Sequence, residues 1–158
     1  MSANTSSIAI REATLSDVET VIRFQIALAK ETESLVLDHH VVAKGVNAVF
    51  TDRQKGVYWV AENHKNVIAS LLTIPEWSDW RNGTVLWIHS VYVLPEYRKM
   101  GIFRKLYCHL KERVEQQDSL KGLRLFVDRR NENAEKVYQA LGMSAEHYKL
   151  YEWLKSPS

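Results

Sequence analysis

The chain reads as an α/β sandwich: a mixed sheet of six or seven strands with helices on both faces. Three observations predict this. Segments with two-residue apolar alternation and segments with helical spacing follow one another from end to end, without a repeat, a low-complexity tract or a linker. The 158 residues suffice for one domain with a sizeable core, expected over 8–155 after a disordered tail at 1–7. The composition is ordinarily globular, 46% hydrophobic and 25% charged, with too few prolines (three) for a linker-rich chain.

Each element has its own signal. IAIREA (8–13) alternates as a strand. SDVETVIRFQIALAK (16–30) places Val18, Val21, Ile22, Gln25, Ile26 and Ala29 at helical spacing, with Ser16 as its cap. LDHHVVAKGVNAVF (37–50) predicts a second helix, weakened by Gly45. VYWVAEN (57–63) and NVIASLLTI (66–74) are β-rich and joined by the polar turn HK. PEWSDWRNG (75–83) predicts a loop and TVLWIHSVYV (84–93) a long strand. A helix follows over roughly 100–117, then a strand in GLRLFVD (122–128). NENAEKVYQAL (131–141) is a helix capped by Asn131 and stopped by Gly142. EHYKLYEWL (146–154) closes the chain as a strand. The order is β-α-α-β-β-β-α-β-α-β.

Charge and cysteine usage narrow the function classes. The net charge of +2 gives no global argument for nucleic acid or an anionic membrane. A nucleic-acid binder would have to use Arg98, Lys99, Arg104, Arg129 and Arg130; the modest net charge counts against this, and no nucleic-acid partner is expected. Cys108 is the only cysteine, which excludes an internal disulfide, and its place in LYCHL suits a small packing residue. The start MSANTSS lacks an apolar signal core, and no apolar stretch approaches the ~20 residues of a membrane span. The expectation is a cytoplasmic protein with no membrane partner. DHH (38–40) invites a metal, but adjacent histidines diverge on a helix and no third ligand has the right spacing. No metal is expected.

PEYRKMGIFRKL (95–106) sets four cations around one glycine, directly after the apolar VYVL. Pro95 stops the strand, and the turn delivers Gly101 at the start of a helix. Unsatisfied N–H groups and the positive end of the helix dipole meet there, and a glycine lets a ligand approach the backbone. Arg98 and Arg104 could fork onto phosphate oxygens. By itself the same pattern also fits a solvated helix start.

The wider spacing adds to that reading. VYVLPEYRKMGIFRKL resembles the cofactor motif of the GCN5-related N-acetyltransferases (GNAT), Val-x-Pro-x-x-Gln/Arg-x-x-Gly-x-Gly/Ala, with Val93, Pro95, Arg98 and Gly101 in place. Asn131, Ala134, Tyr138, Leu141, Gly142 and Met143 match the family's cofactor-side helix, and IREATLSDVETVIRF looks like its opening strand and helix. The resemblance implies a mostly antiparallel sheet with a splayed parallel strand pair, here HSVYV and RLFVD, holding acetyl-CoA. Backbone groups of Val91, Tyr92 and Val93 would pair with the pantetheine. Amides of Lys99, Met100, Gly101, Ile102, Phe103 and Arg104 would hold the diphosphate, beside Arg98, and Asn131 would contact the pantetheine or steady its loop. Phe103 departs from the family's small residue and shares a helical stripe with Leu106, Tyr107, Leu110 and Val114.

The resemblance also implies roles. Tyr138 stands where the family keeps its general acid, and a phenol can protonate a departing thiolate. The oxyanion donor would be the Val91 N–H. His89 aligns with a glutamate of spermidine/spermine acetyltransferases, and an imidazole near 6.5 suits a general base; it reads equally as an interior histidine. The acceptor pocket would draw on KETESLVLDHH (30–40) and PEWSDWRNG (75–83), with Glu31, Glu33, Glu76, Trp77, Trp80 and Arg81 as candidates. Carboxylates beside aromatic rings suit a cationic amine, while Arg81 could take a substrate carboxylate. The expected function is acetyl transfer from acetyl-CoA to a primary amine, of a small molecule rather than a protein, by direct attack in a ternary complex. The alternatives are a non-catalytic acyl-CoA-binding module and a peptide acetyltransferase. Family members are often dimers, and the last strand could serve a homodimer interface or finish the sheet.

Overall fold

Alternating side chains build the sheet. In the computed structural model, which describes residues 7–156, β1 (Ile8–Glu12), β2 (Val57–Asn63), β3 (Asn66–Ser78), β4 (Gly83–Val93) and β5 (Leu120–Leu125) lie side by side in chain order. The first four are antiparallel, and β5 runs parallel to β4. Five strands thus stand among the described residues where six or seven were expected. The expected tail over 1–7 falls, except for Ser7, outside those residues; Ser7 Oγ donates to Asn63 (2.7 Å).

Helices cover both faces, as the periodicity requires. From α1 (Val18–Glu33) and α2 (His39–Thr51), Val18, Val21, Ile22 and Val46 close over Tyr58 and Leu72. On the opposite face lies α3 (Ile102–Gln116), which buries Ile102, Leu106, Tyr107 and Leu110. Trp59, one residue after Tyr58 and therefore on that other face, meets His109 there (ring centroids 5.5 Å apart). Each fully buried leucine on this stripe contributes about 2 kcal/mol.

Two boundaries differ from the sequence reading for local reasons. A 3-10 turn over Leu15–Asp17 precedes α1, so Asp17 rather than Ser16 occupies the cap position. The buried Asp17 carboxylate accepts from Arg11 (2.7 and 3.1 Å) and from the Thr14 N–H (2.7 Å), while Arg11 also reaches Glu62 (2.7 Å). The Arg11 hydrogen bonds hold the Asp17 carboxyl below its ordinary value against the opposing effect of burial. Its contribution to stability is therefore present above the ordinary carboxyl range and is lost as pH falls through the lowered value. The second difference is β3, which runs through Ser78: pairs Pro75–Leu86 and Trp77–Thr84 carry the ladder through the expected loop. The remaining turn is Asp79–Asn82, with Asn82 at φ 48°. In α2, Asp38 is the cap, accepting from the His40 and Val41 N–H groups (2.8 and 3.1 Å), which accounts for the acidic residue of DHH.

The chain divides into two compact units, one ending at Phe126 and one beginning at Val127. The second contains α4 (Glu132–Ala140), whose cap Asn131 accepts from the Ala134 N–H (3.1 Å). At its other end Gly142 turns left-handed (φ 84°) and the Met143 N–H bonds the Tyr138 carbonyl (3.0 Å). Residues 146–154 form no strand, contrary to expectation. Their alternation supplies a pattern but no ladder partner, and Tyr148, Tyr151 and Trp153 stay exposed. No helix among the described residues is long and apolar enough to cross a membrane.

Candidate active site

β4 changes direction midway. Ser90 holds a φ of 52°, and the β3 register steps from Leu72–His89 to Ser70–Tyr92, so that Ser90 and Val91 together face Leu71. This is a β-bulge, and it bends the strand. The ladder to β5 ends at the Ile88–Leu125 pair. Beyond it, His89–Val93 have no strand partner on the β5 side among the described residues, although β3 still pairs with them from the other side. The pairing of the two parallel strands therefore stops just before HSVYV on β4 and at Leu125 within RLFVD, the two segments expected to hold the coenzyme. An exposed backbone edge of this kind can pair with an extended ligand.

The turn after β4 completes that edge. The Leu94 N–H bonds the Ile68 carbonyl (2.9 Å), so the Val93 carbonyl, on the other side of the same peptide, faces the open edge. There it accepts from Arg98 Nε (2.9 Å). Lys99 (φ 62°) and Gly101 (φ 73°) then coil the chain left-handed into α3, whose first bond runs from the Lys105 N–H to the Gly101 carbonyl (3.1 Å). A Cβ built on Gly101 meets nothing within 4 Å. Conformation, not packing, calls for the glycine, and the space over the helix start is open for an anion. These features fit a coenzyme diphosphate. Lys99 and Arg104 are exposed beside it, Met100 is half-buried, and Ile102 is buried against the sheet. Phe103 is half-buried, its ring 6.3 Å from that of Tyr107, at the edge of the packed stripe.

Arg98 is turned away from this space. Its Nη2 pairs with Glu31 Oε2 (2.7 Å), and its guanidinium lies over the Tyr92 ring (5.5 Å). Glu31 Oε1 also accepts from the Tyr92 hydroxyl (3.3 Å). The sequence offered Arg98 to phosphate and Glu31 to an amine; the structure joins the two to each other.

His89 is half-buried beside Trp87 and Phe126 (ring centroids 6.3 and 6.2 Å away), and its imidazole makes no hydrogen bond to another described residue. Desolvation pushes its imidazole below the ordinary value, so it is neutral at neutral pH. Trp87 and Phe126 stack at 4.5 Å, and Arg124 lies over the Trp87 ring (5.7 Å). Glu76 accepts from Trp87 Nε1 and pairs with Arg124 (3.4 Å). Its charge is thus already compensated. Because Glu76 lies opposite Val85 and Trp77 opposite Thr84, strand alternation puts Glu76 on the His89 face and Trp77 on the reverse. Trp80 and Arg81 are exposed in the turn, and Glu33 is exposed at the end of α1. Sequence reasoning missed Arg124 and Phe126; the signal available was their two-residue alternation in the strand expected to neighbour β4.

In the second unit, Asn131 is committed as the cap of α4, and Tyr138 is half-buried on that helix with its phenol pushed up by desolvation. It is therefore protonated at neutral pH. Among the described residues no cluster of three or more metal-ligating side chains occurs.

A model of the acetyltransferase (GNAT) family matches residues 26–143. The chain is 43% identical to a "possible acetyltransferase" from Clostridium difficile 630, with 94% of this chain and 97% of that one covered and a TM-score of 0.87. A ribosomal-protein-alanine N-acetyltransferase from Brucella melitensis biovar Abortus 2308 shares the fold at 16% identity, TM-score 0.76, covering 94% and 99% of the two chains. So does an aminoglycoside acetyltransferase from an uncultured soil metagenomic sample, in complex with sisomicin, at 14% identity, TM-score 0.74, covering 96% and 98%. No curated protein matches the chain.

Proposed function

Because this chain belongs to the GNAT acetyltransferase family, whose members draw the acyl group from acetyl-CoA, we propose that it acetylates a primary amine of a small molecule by direct attack in a ternary complex. The observation that carries the proposal is the end of the β4–β5 ladder at Ile88–Leu125, beside the left-handed turn at Gly101. The open edge at Val91, Tyr92 and Val93 suits the amide groups of a pantetheine arm, and the amides from Lys99 to Arg104 suit its diphosphate. Lys99 and Arg104 add charge there. Acetyl-CoA supplies an activated acyl thioester; the chain supplies position and protons.

His89 is the base in this reading. Its lowered pKa leaves the ring nitrogen free at neutral pH, and the aromatic rings beside it restrict water. Tyr138 Oη holds the proton for the departing sulfur, and its raised pKa keeps that proton in place until it is needed. The Val91 N–H, within the bulge, donates to the developing oxyanion. Glu33, Trp77, Trp80 and Arg81 are exposed acceptor-side candidates, as are Glu31 and Glu76, which are already ion-paired to Arg98 and Arg124. Glu76 takes part through Trp87 and Arg124, as a wall of the site rather than a bare carboxylate.

Thiol release from acetyl-CoA across polyamines, amino acids, aminoglycosides and peptide N-termini tests the reading. Turnover with a small amine is expected. Tyr138→Phe should lower kcat about a hundredfold and leave the affinity for acetyl-CoA within about twofold. Turnover confined to peptide N-termini would overturn the small-molecule assignment, and full activity of the Phe variant would remove Tyr138 as the acid.

A further inference from the structure

Glu31 sits in the last turn of α1, at the negative end of the helix dipole and two residues from Glu33. A carboxylate is disfavoured there unless a cation compensates it. Arg98, 67 positions away in sequence, supplies that cation at 2.7 Å. The same guanidinium holds the Val93 carbonyl (2.9 Å) and covers the Tyr92 ring, while the Tyr92 hydroxyl returns to Glu31 (3.3 Å). Phe24 of α1 packs against that ring from the helix side (4.9 Å). The contacts form a closed loop from α1 to Tyr92, Val93 and Arg98, the residue just before the left-handed Lys99.

We infer that Glu31 is a positioning residue for the coenzyme turn: acting through Arg98 and Tyr92, it fixes the backbone between Val93 and Gly101. It is not the counter-ion of the acceptor amine. The inference rests on the acetyl-CoA reading above. An amine approaching Glu31 would meet a carboxylate already neutralised by Arg98, whereas loss of that carboxylate frees Arg98 from α1 and loosens the turn it steadies. The pair is about two-fifths exposed on each side (42% and 40%), so it adds little to stability. Its effect belongs in coenzyme binding.

Calorimetry with acetyl-CoA and steady-state kinetics with the best amine test this on the full chain. Glu31→Gln should raise the coenzyme Kd about three- to tenfold, keep the amine KM within about twofold and shift the melting temperature by no more than about 3 °C. Tyr92→Phe, which removes only the hydroxyl, should show a smaller change in the same direction. In Arg98→Gln, adding Glu31→Gln should weaken coenzyme binding no further, since the two act as a unit. A raised amine KM at unchanged coenzyme Kd would make Glu31 an acceptor ligand and overturn the inference. So would wild-type behaviour of Glu31→Gln, or losses that multiply in the double variant. If the unsubstituted protein gives no heat with acetyl-CoA, the coenzyme reading itself fails, and this inference with it.

Discussion

His89 carries the clearest consequence at the scale of one residue. Burial penalises its imidazolium, so its pKa lies below the ordinary 6.5. As the base it must be neutral, so turnover at saturating substrates should rise with pH through a midpoint below 6.5 and be level by neutrality. His89→Gln should remove that acid limb and lower kcat about a hundredfold; a limb that persists in the variant would assign it to another group. Folding has the same sign: the folded state resists protonation of His89, and stability falls as pH drops below the unfolded value. The strand end at Val93, the turn begun by Pro95 and the left-handed glycine at 101 were legible in the sequence, where a motif marked them. Partnerships were not. That Arg98 faces Glu31, or Glu76 faces Arg124, follows from which elements the fold brings together, and no spacing along the chain encodes it.

At the scale of elements, the bulge in β4 and the turn into α3 do one job together, opening a backbone edge and presenting a helix start beside it. Gly101 is the test of the turn. A β-branched residue at φ 73° is strained by roughly 1–2 kcal/mol, yet its Cβ would meet no protein atom within 4 Å. Gly101→Val should therefore lower the melting temperature by only about 2–8 °C while raising the KM for acetyl-CoA at least about tenfold. An unchanged KM would mean that no ligand approaches this backbone. The helices and inner strands were legible because their apolar periodicity is strong. The bulge was not, since no glycine marks it: Ser90 takes the positive φ instead. The strand expected at 146–154 failed for the complementary reason, a β pattern without a partner strand. The extension of β3 past Pro75 likewise came from pairing with β4, which a reading of Pro, Trp and Asp as loop residues does not see.

For the whole molecule, a net charge of +2 conceals a local division of labour. Cations cluster at the turn, Glu31 neutralises one of them, and Lys99 and Arg104 are left facing solvent. Family membership was legible in two motifs of the right separation; acceptor chemistry was less so, because the acidic and aromatic candidates are divided by strand alternation and by ion pairs that only the fold reveals. The proposed transfer requires the coenzyme to lie along β4 and to end at the turn. Amide hydrogen exchange with and without acetyl-CoA measures this most directly. Exchange is expected to slow at Val91–Val93 and Lys99–Arg104, with the β2–β3 turn at His64–Asn66 unchanged. Exchange unaltered at both segments, or protection confined to other parts of the chain, would contradict it.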